Sequence, residues 1–310
     1  MKIASCFAGV GGIELGFDGC EVVYANEIDK NAVLTYERNF NCRVDNRDIL
    51  EVDESSLPDF DILMGGFPCQ AFSVAGNRMG FDDKRGKMFF ELMRIAKEKK
   101  PQVIFLENVK NLVSHDGGNT FRVILMELEM LGYHVKYKVL NASEYGNTPQ
   151  NRERIYIVAF RNHEAYQRFE FPESILLTSS IEDIVDFDAK VDDKYYYTSR
   201  FKHFELLEQV VVKKDRLYQW RRKYVRENKS GVCPTLTANM GMGGHNVPIA
   251  LTRYGMRKLT PRECFLFQGF PEDFVLPDIS DAQLYKQAGN SVCVGVIRRI
   301  ATNLLKACAK

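Results

Sequence analysis

What the sequence does without narrows the field first. Its eight cysteines contain no C-x-x-C pair and no histidine stands near them at zinc-ligand spacing. A structural zinc site is therefore not expected, and reduced thiols in a cytoplasm are. Charge of one sign is also missing: 42 Lys and Arg face 41 Asp and Glu, so attraction to an anionic partner must come from a local surface. No apolar run is long enough to span a bilayer. The stretch Ile3 to Ile13 is uncharged, but Gly9, Gly11 and Gly12 interrupt it and no basic cluster or cleavage site accompanies it. It reads as a buried strand entering a glycine turn rather than a signal peptide. Internal repeats and low-complexity tracts are absent, which removes solenoids and disordered arrays from consideration.

What is present suits a two-lobed globular enzyme. With 45% hydrophobic and 27% charged residues over 310 positions, the chain can build one sizeable core and a smaller companion. The first half alternates short apolar runs with helical patterns, the signature of an α/β fold in which helices cover both faces of a largely parallel sheet. Strands are expected at Ile3 to Phe7, Val22 to Asn26, Asp61 to Met64, Val103 to Leu106, Val135 to Leu140 and Ile155 to Phe160. Helices are expected over Lys87 to Lys99 and Thr120 to Leu131, the latter stopped by Gly132. Beyond Pro172 the alternation fades into an irregular stretch until Arg257, and from Val292 a single apolar stripe marks a terminal helix. The expected division is a catalytic and cofactor domain over 1–172, completed by 285–310, with a second lobe over 173–284.

The candidate chemistry gathers where strands end. Phe7-Ala8-Gly9-Val10-Gly11-Gly12 forms a turn that lets backbone approach a nucleotide-like ligand. Glu14 stands where the dinucleotide fingerprint needs glycine, so a nucleoside without phosphates fits better than a pyrophosphate. Glu27, after the second strand, is placed to accept from ribose hydroxyls, and Asp48 to accept from an adenine amine. Alone, either acid would read as a solvated loop carboxylate. Gly65-Gly66-Phe67-Pro68-Cys69-Gln70 is the most specific block. A lone cysteine is usually a small core residue, but one on a glycine-proline turn beyond a buried strand is placed as a nucleophile, needing nearby positive charge or a helix N-terminus to ionise. Glu107 follows the apolar run Val103 to Leu106, where desolvation can raise a carboxyl's pKa and let it donate a proton. Arg152 and Arg154, two residues apart, read as one strand face offering paired guanidiniums to phosphate or substrate.

Taken in order, these blocks resemble the cytosine-5 DNA methyltransferases of bacterial restriction-modification systems, over nearly the whole chain apart from about residues 173–230. The segments that carry the likeness are Phe7 to Gly12, Glu27, Asp48, Pro68-Cys69-Gln70, Arg85-Gly86-Lys87, Glu107-Asn108-Val109, Gln150-x-Arg152-x-Arg154, Arg257 to Pro271 and Gly289-Asn290-Ser291-Val292. The resemblance implies a Rossmann-like S-adenosylmethionine-dependent methyltransferase fold, mixed in strand direction, with a smaller irregular target-recognition domain. It implies that Cys69 adds to C6 of a flipped-out cytosine while Glu107 engages N3, that Arg152 and Arg154 hold the substrate, and that residues Gln70 to Met88 form a closing loop. Phe7, Gly9, Gly11, Glu27, Ile28, Asp48, Ile49, Pro68, Asn290 and Ser291 would hold S-adenosylmethionine, leaving S-adenosylhomocysteine as product and requiring no metal.

On the same basis Gln70, Ser73, Arg85, Arg221, Arg222, Thr235, Leu236 and Asn239 would meet double-stranded DNA. The stretch Arg216 to Lys229 interleaves Arg216, Arg221, Arg222, Lys223, Arg226 and Lys229 with Tyr218, Trp220 and Tyr224, a pattern that alone describes a solvated face. The glycine-rich loop from Met240 to Asn246 follows, and the whole block resembles methylases that read a short interrupted palindrome such as GCNGC. A monomer in a bacterial cytoplasm, held at the nucleoid by DNA, is implied, with a cognate restriction endonuclease acting on the same site without a stable complex. An RNA (tRNA) cytosine-5 methyltransferase on the same catalytic module is the nearest alternative. A nicotinamide oxidoreductase is supported only by the glycine turn and is opposed by Glu14, and no helix-turn-helix or zinc module supports a purely DNA-binding regulator.

Overall fold

The computed structural model describes residues 1–68, 87–221, 223–242 and 246–309. In chain order the elements are β1 (Lys2–Cys6), β2 (Glu21–Asn26), α1 (Lys30–Asn39), β3 (Val44–Asp45), β4 (Ile62–Gly65), α2 (Lys87–Lys99), β5 (Val103–Val109), α3 (Asn119–Met130), β6 (His134–Asn141), α4 (Ala142–Tyr145), β7 (Glu153–Phe160), α5 (His163–Arg168), α6 (Phe204–Val210), β8 (Leu217–Arg221), β9 (Tyr224–Glu227), β10 (Ile249–Thr252), β11 (Gly255–Lys258), α7 (Pro261–Leu266), α8 (Asp281–Asn290) and α9 (Val294–Cys308). They fall into two compact units, one made of Met1–Leu140, Glu153–Pro172 and Ile297–Lys310, the other of Asn141–Arg152 and Glu173–Val296.

The first unit is a seven-stranded sheet in the order β3-β2-β1-β4-β5-β7-β6. Strands β3, β2, β1, β4 and β5 pair in parallel, and β7 runs antiparallel to β5. The central strands are apolar without alternation because both faces are covered: β4 is buried throughout and β5 up to Asn108. On one face Phe89, Leu92, Ile95 and Ala96 of α2 and Phe121, Ile124 and Leu128 of α3 close over Leu63, Ile104 and Leu106. On another, Tyr36 of α1 packs with Ala8, Ala25 and Val44. Each fully buried aliphatic or aromatic side chain of this kind contributes about 1.5–3 kcal/mol.

Local signals set the helix ends. Asp29 caps α1 by accepting the Asn31 and Ala32 N–H groups. After α3, Gly132 takes φ 85°, its N–H donates to the Glu129 carbonyl and that of Tyr133 to Leu128, a paired closure that glycine permits.

The second unit holds a four-stranded antiparallel sheet, β11-β10-β8-β9, within the stretch whose sequence reads as irregular. Its core is Leu207, Val211, Tyr218, Val225, Ile249 and Met256. The strands are four or five residues long, too short to show a period above the surrounding loops. Among the described residues no helix is long and apolar enough to cross a membrane.

Candidate active site

Parallel pairing brings the ends of β1, β2, β3, β4 and β5 to one edge of the first unit, where ligands of open α/β sheets bind. After β1 the chain turns through three left-handed residues, Phe7 (φ 56°), Gly9 (φ 58°) and Gly11 (φ 86°). A Cβ on Gly11 would collide with the Phe40 ring, whereas one on Gly9 would meet nothing within 4 Å. Packing thus requires glycine at position 11, and Gly9 leaves its surface open. Glu27 ties the turn down: Oε2 accepts the Gly9 N–H at 2.9 Å and Oε1 the Asp29 N–H at 2.8 Å. Ile28, next along, is 62% exposed, large for an apolar side chain at a strand end. Asp48 accepts the Leu50 N–H at 3.1 Å and begins the short turn that buries Ile49.

Strands β4, β5 and β7 build the other half of this edge. Because β7 is antiparallel, its first residues arrive beside the last residues of β5, with Val109 opposite Arg154 and Glu107 opposite Tyr156. Arg154 reaches diagonally across to Glu107, Nε to Oε1 at 3.1 Å, and both side chains are largely buried. Beyond β4, a Cβ on Gly66 would stand 3.5 Å from Glu107 Oε2. Asn108 Nδ2 donates to the Phe67 carbonyl at 2.8 Å. The backbone that leads through Pro68 toward Cys69 is thereby held against the Glu107-Asn108 strand end. Cys69 itself, with Gln70, Ser73, Arg85 and most of the expected closing loop, lies outside the described residues, as do Arg222 and residues 243–245.

The seven cysteines that are described are free, and burial raises the thiol pKa of every one of them. Cys6 is pushed up to about 12, Cys233 and Cys264 well above their ordinary value, and Cys20, Cys42, Cys293 and Cys308 in the same direction. Thiols held neutral in this way are poor nucleophiles at pH 7.

In the second unit Arg152 acts on backbone. It is 2% exposed; Nη1 donates to the Leu236 carbonyl at 2.8 Å, and Nη2 to the carbonyls of Gly289 and Ser291. The two arginines therefore do not present one face: Arg152 precedes β7 and gathers carbonyls, and Arg154 within β7 meets Glu107. Gln150 accepts the Leu236 N–H at 3.1 Å, and Thr235 Oγ1 donates to the Asn151 carbonyl at 2.5 Å. The Thr235-Leu236 segment is consequently fastened to Gln150-Asn151-Arg152 along its length, with Leu236 buried and Asn239 exposed. Gly289 admits no side chain, since a Cβ would overlap the Thr237 backbone. Asn290 is exposed and Ser291 buried.

The basic stretch divides by partner. Arg216 is held by Asp215 at 3.0 Å and Glu227 at 2.8 Å, and Lys213 also pairs with Glu227. Tyr218 and Trp220 turn inward to the sheet core. On the other face of the β8–β9 hairpin, Arg221 pairs across to Tyr224, which is 57% exposed, and Arg226 is exposed as well, as is Lys223 in the turn between the strands. That face is not separable from the inward one in sequence, where cations and aromatics simply alternate.

Sheet order, the antiparallel seventh strand and the acids at the strand ends define the class, a Rossmann-like methyltransferase fold. A solved structure, that of Entamoeba histolytica methyltransferase EhMeth, superposes with a TM-score of 0.77 at 21% identity, covering 100% of this chain and 99% of that one. Residues 1–306 match the family described as C-5 cytosine-specific DNA methylase. The type II methyltransferase M.Bsp6I of Bacillus sp. (strain RFL6) is 59% identical over 99% of both chains. M.HhaI of Haemophilus parahaemolyticus is 41% identical over 98% of this chain and 94% of its own. The chain belongs to the C-5 cytosine-specific DNA methylases and is a DNA (cytosine-5-)-methyltransferase.

Proposed function

We propose that the protein methylates C5 of a cytosine flipped out of a short, specific double-stranded DNA site, with S-adenosylmethionine as donor and Cys69 as nucleophile, and that it protects host DNA from a cognate restriction endonuclease. The observation that carries this reading is the Glu107–Arg154 pair set against the backbone that leads to Cys69. An acid oriented by a guanidinium, on the strand end to which the backbone preceding a candidate thiol is fastened, is equipment that addition to a pyrimidine ring requires.

The turn at Phe7, Gly9 and Gly11 suits a nucleoside sulfonium. Glu27 sits where ribose hydroxyls can donate to it, exposed Ile28 offers an apolar face to an adenine ring, and Asp48 and Ile49 close the edge, with Pro68 bordering it from β4. When bound, S-adenosylmethionine supplies an electrophilic methyl group.

The chain's own residues prepare the base. The Cys69 thiolate forms a bond to C6, which breaks the C5–C6 double bond and places electron density on C5. Glu107, protonated, donates to N3 and takes up the charge that develops in the ring, and Arg154 keeps its carboxyl oriented. Once C5 carries the methyl group, loss of the C5 proton to a base restores the C5–C6 double bond and expels Cys69 from C6 as the thiolate. Extruding the cytosine costs about a few kcal/mol, offset by contacts in the pocket that receives it. Residues 173–284 serve as the target-recognition domain, and Arg221, Arg222 and Asn239 meet DNA there.

The test is transfer of labelled methyl to genomic DNA and, separately, to tRNA, followed by bisulfite sequencing of the labelled product. Site-specific 5-methylcytosine in DNA, at a GCNGC-like palindrome, is the expected result. Label confined to tRNA would overturn the substrate, and full activity of Cys69→Ser would remove Cys69 from the mechanism.

A further inference from the structure

A polar cluster lies sealed beneath the glycine turn, and the methyl-transfer chemistry does not use it. Glu14 opens the single helical turn Glu14–Gly16 and is 6% exposed, with Ser5 of β1 at 1% and Tyr36 of α1 at 0%. The Ser5 hydroxyl and the Tyr36 phenol are the side chains that approach the carboxyl, yet none of the four oxygens completes a hydrogen bond of ordinary length and angle. A group so placed keeps its proton. Desolvation raises the Glu14 carboxyl to about 7, opposed in part by Ser5 and Tyr36 and assisted by the nearby charge of Glu27.

Glu14 and Tyr36 each connect to the turn that the cofactor reading requires. Leu15, the residue after Glu14, donates its N–H to the Gly11 carbonyl at 3.1 Å, and Gly11 donates to Ala8 at 3.0 Å. Tyr36 stacks on Phe40 with ring centroids 4.5 Å apart, and Phe40 is the ring that closes the space at Gly11. The carboxyl is therefore coupled to Gly11 along the chain and, separately, through two stacked rings. From β1 it is faced by Ser5 and the Cys6 thiol, from α1 by Tyr36, from the following segment by Cys42, and from the end of β2 by Glu27. Arg298 of α9 reaches the Leu15 carbonyl and Asp18 in the segment that Glu14 opens.

We propose that Glu14 is a positioning residue for the cofactor turn: its carboxylic acid, set between Ser5 and Tyr36, holds the Phe7–Gly12 backbone in the shape that accepts S-adenosylmethionine, and ionisation of that acid releases the shape. This rests on the cofactor reading above. A charged Glu14 would sit in an apolar site near Glu27, the carboxylate that fastens Gly9, so the turn would loosen at its anchored end. Cofactor affinity then falls as pH rises through neutrality.

The experiment is calorimetric titration of S-adenosylmethionine into the full chain between about pH 6 and pH 8.5, for wild type, Glu14→Gln and Tyr36→Phe. The unliganded protein is followed in parallel by the 13C signal of the Glu14 carboxyl. Wild type is expected to match Glu14→Gln at low pH and to weaken relative to it above neutrality, by up to about tenfold per pH unit. Tyr36→Phe, which removes a group that favours the ionised form, should move the decline to higher pH; this arm decides the matter even where Glu14→Gln fails to fold. Parallel profiles for wild type and variants, or a carboxyl titrating below about pH 5 in the unliganded protein, would overturn the role of Glu14 while leaving the cofactor reading intact. Absence of binding to wild type at every pH would overturn the cofactor reading, and the inference with it.

Discussion

Arg154 Nε stands 3.1 Å from Glu107 Oε1 across two strands that run in opposite directions. The antiparallel β7 makes this contact available, because a parallel seventh strand would begin at the far edge of the sheet. A carboxyl paired with a fixed guanidinium keeps one orientation toward a base, which is worth more in a reaction than proximity alone.

The first prediction follows from that pair. Arg154→Ala should reduce methyl transfer by more than about 100-fold, the scale of losing an oriented general acid, with cofactor affinity changed only a few-fold. Removing the guanidinium from the Glu107 carboxyl should also lower stability, by about 1–3 kcal/mol, the scale of a buried polar group that loses a hydrogen-bonding neighbour. Denaturant unfolding and single-turnover transfer measure the two effects separately. Near wild-type turnover would remove Arg154 from the chemistry.

Gly11 permits a second prediction. Its φ of 86° and the closeness of the Phe40 ring to where a Cβ would stand act independently, so Gly11→Ala suffers both left-handed strain and a ring clash. Cofactor binding should be lost or greatly weakened and the melting temperature lowered. Adding Phe40→Ala opens the space but leaves the backbone strain of about 1–3 kcal/mol, so the double variant should recover in part. Full recovery would show that sterics alone made glycine necessary.

Much of the first unit is legible in the sequence because its central strands are unbroken apolar runs. The expected helix over Lys87 to Lys99 coincides with α2, and the stop at Gly132 with the closure of α3. Placing Glu27 and Glu107 at strand ends needs only the strands. The role of Arg152 is not legible, since its acceptors at Leu236, Gly289 and Ser291 are carbonyls that any residue carries, and they come together only through the fold. In the sequence Glu14 stands out only as the residue that breaks a glycine fingerprint. Its position between apolar Ile13 and Leu15 is the available hint of burial, but Ser5 and Tyr36 are distant in sequence. The sheet β8 to β11 escapes notice because its strands are too short for alternation to stand out.

Glu14 also makes folding stability depend on pH. A carboxyl that titrates at about 7 when folded and near 4.5 when unfolded holds a proton in the native state that the unfolded chain has released. Stability must therefore fall as pH rises from about 4.5 to 7 and level off above, by about 3 kcal/mol from this group alone. Glu14→Gln removes this slope and should be the more stable form at pH 8. Urea midpoints at pH 5, 6.5 and 8 test it, and the same slope in both proteins would assign the effect to other groups.

The recognition hairpin yields the last prediction, because its cations are not equivalent. Arg216 is engaged by Asp215 and Glu227, and to bind a phosphate it would have to leave both carboxylates, exchanging two close ion pairs for one. Arg221 and Arg226 are exposed on the face that also carries Tyr224, Lys223 is exposed in the turn between the strands, and each can meet a phosphate at no such cost. Every phosphate contact adds about 0.9 to the slope of log affinity against log salt. Replacing Arg221 or Arg226 with Gln should then lower the slope by about that amount per contact, whereas Arg216→Gln should leave it unchanged. DNA binding measured at several salt concentrations separates the cases: an equal loss of slope for all three would place Arg216 on the DNA with the others, and no loss for any would put DNA on a different face of this unit.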